Sequence, residues 1–194
     1  RVNLFGQGVS KQVGNQLREL GSKKAMLVTD AGLHRMGLSE EIADIIRSAG
    51  VEVVIYPKAE PNPTDKNVHE GAELFKQENC DALVSLGGGS SHDATKGIGI
   101  VVSNGGQIQD YQTRDATKPS IPHIAVTTTA GTGSETTSLA VITDTARKIK
   151  MPIVDNQMTP TIAIIDPLLM LKKPRLLTIA TGMDVLSHAI EAYV

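Results

Sequence analysis

The fold of this chain is decided by one stretch, Leu83-Val84-Ser85-Leu86-Gly87-Gly88-Gly89-Ser90-Ser91-His92-Asp93-Ala94-Thr95-Lys96. Residues 82–86 are an apolar run of strand length, and three glycines end it. Apolar residues then recur at helical spacing, so a helix is predicted, with Ser90 or Ser91 as its N-cap. A strand, a glycine turn and a helix N-terminus in this order form an anion site, because free N–H groups and the helix dipole point at one place. A phosphate or diphosphate is the expected ligand.

This glycine turn alone does not identify a nucleotide site. It matches neither the G-x-x-x-x-G-K-[ST] phosphate loop nor the G-x-G-x-x-G fingerprint. A tight strand–helix connection that only packs closely has the same composition. Both interpretations stay open until the rest of the chain is considered.

Composition restricts the class of protein to a globular one. Of its 194 residues 40% are hydrophobic, enough for one large domain, or one domain plus the start of another. Its 19 basic and 21 acidic residues nearly balance, so neither nucleic acid nor a membrane is an expected partner. Cys80 is the only cysteine, which predicts a reducing, cytoplasmic setting. No apolar run reaches the roughly 18 residues that span a membrane.

The order of the predicted elements is that of an α/β protein. Strands alternate with helices, which indicates βαβ units and a Rossmann-like, mainly parallel sheet flanked by helices. Strands are predicted at 24–30, 51–56, 82–86, 121–126 and 161–165. Helices are predicted at about 9–20, 39–48, 65–77, after the glycine turn, and from about 175 onward. A hairpin is predicted between 139–143 and 149–154.

Four polar features follow predicted strands: Asp30, Asn62, the turn 87–90 and the run 127–132. Ligands of parallel sheets bind outside the carboxyl ends of the strands, so the four together favour a nucleotide site. Asp30 suits the hydroxyls of a ribose and repels a 2′-phosphate, which favours NAD over NADP; the alternative is an N-cap. The small and hydroxyl side chains of the run suit a ligand lying against the backbone, although ordinary polar loops share this composition.

Two polar pairs at helical spacing are further candidates. Asp93 and Lys96 lie three residues apart, either as an exposed ion pair or as a pair facing the cofactor, and both are candidate cofactor contacts. Asp184 and His188 lie four residues apart on a predicted helix and so share one face. A carboxylate and an imidazole suit a borderline divalent metal, but catalytic sites commonly take about three protein ligands, so a surface Asp–His contact is the alternative. The other histidines are interpreted as ordinary surface or loop residues: His34, His69, His92 and His123.

Three motifs together resemble the iron-containing (group III) alcohol dehydrogenases. They are Gly87-Gly88-Gly89-Ser90-x-x-Asp93-x-x-Lys96, Thr128-Thr129-Ala130-Gly131-Thr132-Gly133-Ser134-Glu135 and Ala180-Thr181-Gly182-Met183-Asp184-x-x-x-His188-Ala189-x-Glu191. The resemblance spans essentially the whole chain and is closest to the NAD-dependent methanol dehydrogenase and 1,3-propanediol dehydrogenase branches. It implies a dehydroquinate synthase-like fold, with an NAD-binding α/β domain at 1–173 and the first helix of an all-helical, metal-binding domain at 174–194.

The resemblance also assigns residues to NAD and to a metal. Asp30 matches the adenosine-ribose acceptor, Asn62 a cofactor contact, and Lys150 a lysine on the nicotinamide-ribose side. The diphosphate turn is matched by Gly88, Gly89 and Ser90. The threonine cluster around the cofactor is matched by Thr128, Thr129 and Thr132. The first two ligands of a divalent metal, Fe(II) with Zn as the alternative, are matched by Asp184 and His188.

The implied activity is hydride transfer between a small primary alcohol or aldehyde and NAD, activated by the metal, in a homo-oligomer. No catalytic residue is evident in this chain, and the family's remaining histidine ligands would lie after its last residue. The chain also begins with Arg and ends within a helical pattern, so we expect a truncated, cofactor-binding portion with little turnover of its own. Two alternatives stay open: a glycerol-dehydrogenase-like or dehydroquinate-synthase-like zinc enzyme, and a non-catalytic nucleotide-binding module.

Overall fold

The computed structural model describes residues Arg1–Val194, which form a six-stranded sheet, a separate hairpin and six α-helices. The strands are β1 (Val2–Phe5), β2 (Lys24–Thr29), β3 (Glu52–Tyr56), β4 (Ala82–Gly87), β5 (His123–Thr127), β6 (Leu139–Asp144), β7 (Ile149–Val154) and β8 (Ile162–Ile165). The helices are α1 (Val13–Glu19), α2 (Ala31–Arg35), α3 (Leu38–Ser48), α4 (Asp65–Gln77), α5 (Gly89–Asn104) and α6 (Arg175–Tyr193). Short 3₁₀ turns connect several of these elements.

The large sheet is parallel throughout, in the order β1-β8-β5-β4-β2-β3. Both of its faces are buried, as β2 illustrates: Ala25 and Leu27 pack against α1 and α3, whereas Met26 and Val28 join the core formed with α4 and α5. Strands buried on two sides read as continuous apolar runs, which is the pattern of 82–86 in the sequence. The predicted α/β class and mainly parallel sheet are therefore confirmed.

The strand order reverses between β2 and β4, because β3 lies on one side of β2 and all later strands of the sheet lie on the other. In open α/β sheets the crevice outside the carboxyl ends of the strands at such a reversal is the usual ligand site. Asp30 follows β2 and the glycine turn follows β4, so the two earliest candidates from the sequence lie at this point.

The hairpin of β6 and β7 is antiparallel and forms its own two-stranded sheet. Its inward side chains, Ala140, Ile142, Met151 and Ile153, are buried in the core that includes α4 and α5. A bridge between Thr64 and Thr143 joins it to the start of α4. The hairpin therefore packs over α5, beside the large sheet rather than within it.

Local structure differs from the sequence-based predictions in three places. The segment predicted as one helix at 9–20 is a 3₁₀ turn, Val9–Gln12, followed by α1. The short helix α2 was not predicted; the Asp30 carboxylate begins it by accepting the amides of Gly32 and Leu33. The predicted serine N-cap of α5 is wrong, since Gly88 is the N-cap and no side chain caps this helix.

Helix α6 contrasts with the other long helices because none of its 19 residues is buried; among the α-helices only the five-residue α2 shares this. Its apolar side chains remain in contact with solvent on all sides, including Leu176, Ile179, Met183, Leu186 and Ile190. A helix that is apolar all round normally lies in a protein interior. No helix of the chain is both long enough and apolar enough to cross a membrane.

Candidate functional site

The glycine turn presents backbone amides at the end of β4. The N-cap Gly88 has an extended backbone, and the amides of the first helical turn lack partners within α5 because no residue precedes them in the helix. Without a capping side chain, these N–H groups remain free for an anion, which the helix dipole also favours. The turn lines an open cleft, as expected for a diphosphate site.

The run at 127–132, called the threonine run below, lies directly over this turn. The Thr128 amide donates to the carbonyl oxygen of Gly87 at 2.8 Å, which joins the end of β5 to the end of β4. A Cβ placed on Gly88 would lie 2.8 Å from Thr129 Oγ1, and one on Gly89 would lie 3.0 Å from Thr132 Oγ1. Gly88 is therefore required by close packing against Thr129, and Gly89 lies in tight contact with Thr132.

Asp30 is an N-cap that leaves one carboxylate oxygen without a partner in the protein. Its Oδ1 accepts the amides of Gly32 at 2.7 Å and Leu33 at 2.9 Å, so it is an N-cap. Its Oδ2 makes no hydrogen bond within the protein, and the residue lines the same cleft as the glycine turn. A carboxylate held by one oxygen still has the other for a ribose hydroxyl.

Two cavities meet at the glycine turn. The larger has a volume of about 1510 Å³ and contains Asp30 together with the turn and the run: Gly88, Gly89, Ser90, Thr128, Thr129 and Thr132. The smaller has a volume of about 340 Å³ and contains five further candidates: Asn62, Asp93, Lys150, Asp184 and His188. Residues Gly89, Ser90 and Thr132 line both. A ligand that occupies the larger cleft can therefore extend into the smaller cavity.

Asn62 and Lys150 are paired at the wall of the smaller cavity. Lys150 Nζ donates to Asn62 Oδ1 at 2.7 Å, which connects the loop before α4 to β7. Asn62 has a φ of 56°, in the left-handed region that non-glycine residues seldom adopt. The loop is thus held in an uncommon conformation beside the hairpin.

Asp93 and Lys96 do not form the exposed ion pair considered from the sequence. The Lys96 side chain is 0% exposed, and its Nζ lies 4.0 Å from Asp93 Oδ1. Burial lowers the pKa of Lys96 to about 8, although Asp93 and Glu135 oppose the shift. Burial likewise raises the pKa of Asp93, against the hydrogen bonds that its carboxylate accepts. Asp93 lines the smaller cavity, whereas Lys96 lines neither cavity, and a cofactor contact for either residue stays a prediction.

Asp184 and His188 lie on the same face of α6 and open into the smaller cavity. His188 Nε2 is 3.7 Å from Asp184 Oδ1, and the side chains are 55% and 39% exposed, respectively. A Cβ on Gly131 would lie 3.1 Å from Asp184 Oδ2, so the threonine run packs against this part of α6. The carboxylate and imidazole fit a divalent metal as part of its ligand set. No cluster of three or more acidic, His or Cys side chains is arranged to hold a metal.

Three buried polar residues were missed or misread from the sequence: Asp166, His92 and His123. Asp166, after β8, is 1% exposed and accepts hydrogen bonds from the amides of Gly8, Ser10 and Leu168 and from Ser10 Oγ. Its place after a predicted strand, before Pro167, was the available signal. His92 and His123 are buried rather than at the surface, and Ser85 Oγ lies 2.7 Å from a ring nitrogen of each. No sequence pattern distinguished them from exposed histidines.

Comparison with known proteins identifies the family to which these features belong. The profile of the family "Iron-containing alcohol dehydrogenase" matches residues 1–167. The chain is 65% identical over 194 residues to the NAD-dependent methanol dehydrogenase of Bacillus methanolicus, covering 100% of this chain and 51% of that protein.

Solved structures give the same result. A crystal structure of 1,3-propanediol oxidoreductase superposes with a TM-score of 0.96 at 47% identity, over 100% of this chain and 51% of the other. Sulfoacetaldehyde reductase from Bifidobacterium kashiwanohense, solved in complex with NAD⁺, gives 0.92 at 33% identity, over 98% and 50%. The chain spans about half the length of the relatives that it matches. The resemblance in its three motifs is confirmed: the chain belongs to the iron-containing alcohol dehydrogenase family.

Proposed function

We propose that this chain is the cofactor-binding portion of an NAD-dependent, metal-activated dehydrogenase of small primary alcohols. The observation that carries the proposal is the junction of the two cavities at Gly89, Ser90 and Thr132. A dinucleotide whose diphosphate lies on the glycine turn has room for its adenosine toward Asp30. Its nicotinamide then extends toward the Asp184–His188 pair, where an alcohol would meet it.

The proposed role of the chain toward NAD is binding and orientation. Asp30 Oδ2 accepts from the adenosine ribose and disfavours the additional phosphate of NADP. The first amides of α5, with Thr128, Thr129 and Thr132, hold the diphosphate. Asn62 and Lys150 line the nicotinamide end. The bound nicotinamide supplies the hydride acceptor or donor, which no amino-acid side chain provides.

The proposed metal ligands of this chain are Asp184 and His188. Their donor set suits Fe(II), with Zn as the alternative, and a site of four ligands would need donors besides these two. A divalent metal, when bound, polarises the oxygen of an alcohol as a Lewis acid. The half-exposed pair beside the dinucleotide cleft would set the position of the alcohol relative to the nicotinamide.

The proposed substrate is a small primary alcohol or its aldehyde. It is supported by the names of similar proteins, a methanol dehydrogenase and a 1,3-propanediol oxidoreductase. We further propose a homo-oligomer, as the family resemblance implies.

The test combines metal analysis with alcohol-dependent NADH formation. Both are measured on this 194-residue chain and on a chain extended to the length of its relatives. Replacing His188 by Ala in the longer chain is expected to reduce metal retention at least about 10-fold and to abolish turnover while NADH still binds. A matched control is His34→Ala, whose ring hydrogen-bonds Ser39 and lies in neither cavity.

Three outcomes decide the proposal. Loss of metal and turnover in His188→Ala, but not in His34→Ala, supports the ligand assignment. Unchanged metal content in His188→Ala contradicts it. NADH binding without metal or turnover in either length of chain would instead favour a non-catalytic nucleotide-binding module.

A further inference from the structure

Ser134 lies between the two charged side chains of α5. It is 5% exposed, and its Oγ donates to Asp93 Oδ1 at 2.7 Å and accepts from Lys96 Nζ at 2.8 Å. Its amide donates to Thr132 Oγ1 at 3.3 Å. Ser134 therefore connects a carboxylate and an ammonium through its hydroxyl, and the threonine run through its amide. We call Asp93, Lys96 and Ser134 the clamp.

The clamp holds the whole segment that joins the threonine run to the hairpin. Lys96 Nζ also donates to the Leu139 carbonyl oxygen at 2.7 Å and to Thr137 Oγ1 at 3.3 Å. The second oxygen of Asp93 accepts the Val141 amide at 3.0 Å. All of these partners lie in residues 134–141, so α5 holds this segment at both of its ends. Hydrogen bonds to charged groups in a buried site are among the stronger ones in proteins.

The same helix begins at the glycine turn. Its N-terminus carries the amides proposed to bind the diphosphate, and the clamp follows one turn later. Gly88 and Gly89 leave no spare space beneath Thr129 and Thr132. Because the threonine run packs this closely on the glycine turn, the residue that anchors the end of the run also sets the distance between the run and the turn. That residue is Ser134.

We infer that Ser134 is a positioning residue for the cofactor: by anchoring the threonine run to α5, it sets the distance between the threonine hydroxyls and the diphosphate-binding amides. The inference rests on the proposed function, and it assigns Ser134 to neither metal binding nor hydride transfer. Asp30, at the adenosine end, is bonded to α2 and has no bond to the clamp. Loss of Ser134 should therefore weaken binding of the diphosphate and nicotinamide parts more than binding of the adenosine part.

The test uses Ser134→Ala in the full chain, with NADH and AMP as ligands in calorimetric titrations. Lys96 keeps two acceptors and Asp93 keeps the Val141 amide, so this variant is expected to fold. NADH affinity should fall about 10-fold and AMP affinity by no more than about 2-fold, since two charge-assisted hydrogen bonds disappear from one end of the site. Ser138→Ala is the matched control, because the Ser138 hydroxyl makes no hydrogen bond and its loss should change neither affinity.

A purely structural role for Ser134 would lower the unfolding temperature and leave the ratio of the two affinities unchanged, which would overturn the inference. An unchanged NADH affinity in Ser134→Ala would overturn it too. If the unsubstituted chain does not bind NADH, the proposed function itself fails, and the positioning role with it. If Ser134→Ala does not fold, Thr137→Ala is used instead, because it removes one acceptor of Lys96. It is expected to weaken NADH binding about 3-fold and to leave AMP binding unchanged. If both affinities stay unchanged in this variant, the positioning role is contradicted.

Discussion

Asp166 is the residue on which the geometry of the β1 side of the cleft depends. Its carboxylate accepts four hydrogen bonds and fixes the turn at Gly8 and Ser10, two residues that line the larger cleft. Burial acts to raise the pKa of Asp166, but the hydrogen bonds from Ser10, Gly8 and Leu168 outweigh it, and the pKa is lowered. The charged form is therefore the stable one in the fold.

We predict that Asp166→Ala lowers the free energy of unfolding by about 3 kcal/mol, because several buried donors lose their acceptor. Urea unfolding at pH 7 measures this. A group with a lowered pKa stabilises the fold above its ordinary value of 3.8 and ceases to do so as the pH falls through the folded-state pKa, so the difference should shrink in acid. The control is Asp115→Asn, which replaces an exposed carboxylate and should change stability little. If Asp166→Ala and Asp115→Asn lower the free energy of unfolding equally, the structural role of Asp166 is contradicted.

The buried histidines give a second prediction at this scale. Burial lowers the pKa of His92 to about 3 and that of His123 well below 6.5, and in each case neighbouring charges add to the effect. Between pH 6.5 and 3 the unfolded chain binds protons that the folded chain does not, so stability falls as the pH decreases. Each such histidine contributes about 1.4 kcal/mol per pH unit well below 6.5.

His92→Gln keeps a side chain able to bond Ser85 and removes one titrating group. Denaturant unfolding of both proteins from pH 6.5 to 4.5 should give a shallower decrease in the variant, by up to about 1.4 kcal/mol per unit at the acid end. Parallel curves for the two proteins would mean that the ring of His92 does titrate in the folded state.

At the scale of elements, the connection of β4, the glycine turn and α5 was predictable because its pattern is local. An apolar run, three glycines and a helical period need no tertiary information, and the observed β4 and α5 match them. The predicted serine cap was wrong because α5 begins at Gly89, two or three residues earlier than a cap at Ser90 or Ser91 would place its start. Helix α2 was missed because its five residues are too few to show a helical repeat of apolar residues. Only the carboxylate of Asp30 indicates where it starts.

The partners of the candidate residues were less predictable. Sequence spacing placed Asp93 beside Lys96, but their burial depends on residues 134–141, about forty positions later in the chain. The bond from Lys150 to Asn62 joins residues even farther apart. Such contacts follow from the packing of the hairpin on α5, which single-sequence periodicity does not encode. The motifs therefore supplied candidate residues, and only the fold supplied the geometry between them.

The glycine turn provides the prediction at this scale. An alanine at 88 would put its Cβ 2.8 Å from Thr129 Oγ1, so the threonine run would have to move away from the turn. We expect Gly88→Ala to weaken NADH binding about 10-fold in fluorescence titrations, with the fold retained, because the backbone of Gly88 suits any residue. In Gly182→Ala no atom lies within 4 Å of the new Cβ, so NADH affinity should not change. Equal affinities in Gly88→Ala and the parent chain would refute close packing as the reason for this glycine.

For the whole molecule, the arrangement is a parallel sheet with its candidate site at the strand reversal and a final helix at the rim of that site. The sheet buries two apolar cores together with α1, α3, α4 and α5, whereas the long helix α6 buries none of its residues. The boundary between an α/β domain at 1–173 and a helical segment at 174–194 stays a prediction. Fold class followed from the alternation of elements along the chain; the exposure of α6 required the structure.

The central claim is that the glycine turn and the threonine run together hold the diphosphate of NAD. An NMR titration of the ¹⁵N-labelled chain with NADH tests it most directly. We predict the largest shifts at the amides of Gly88–Ser90 and of 128–132, with smaller shifts at Asp30 and none at the far end of the sheet around Lys24 and Glu52. Absence of shifts at the glycine turn, or shifts confined to other surfaces, would contradict the account.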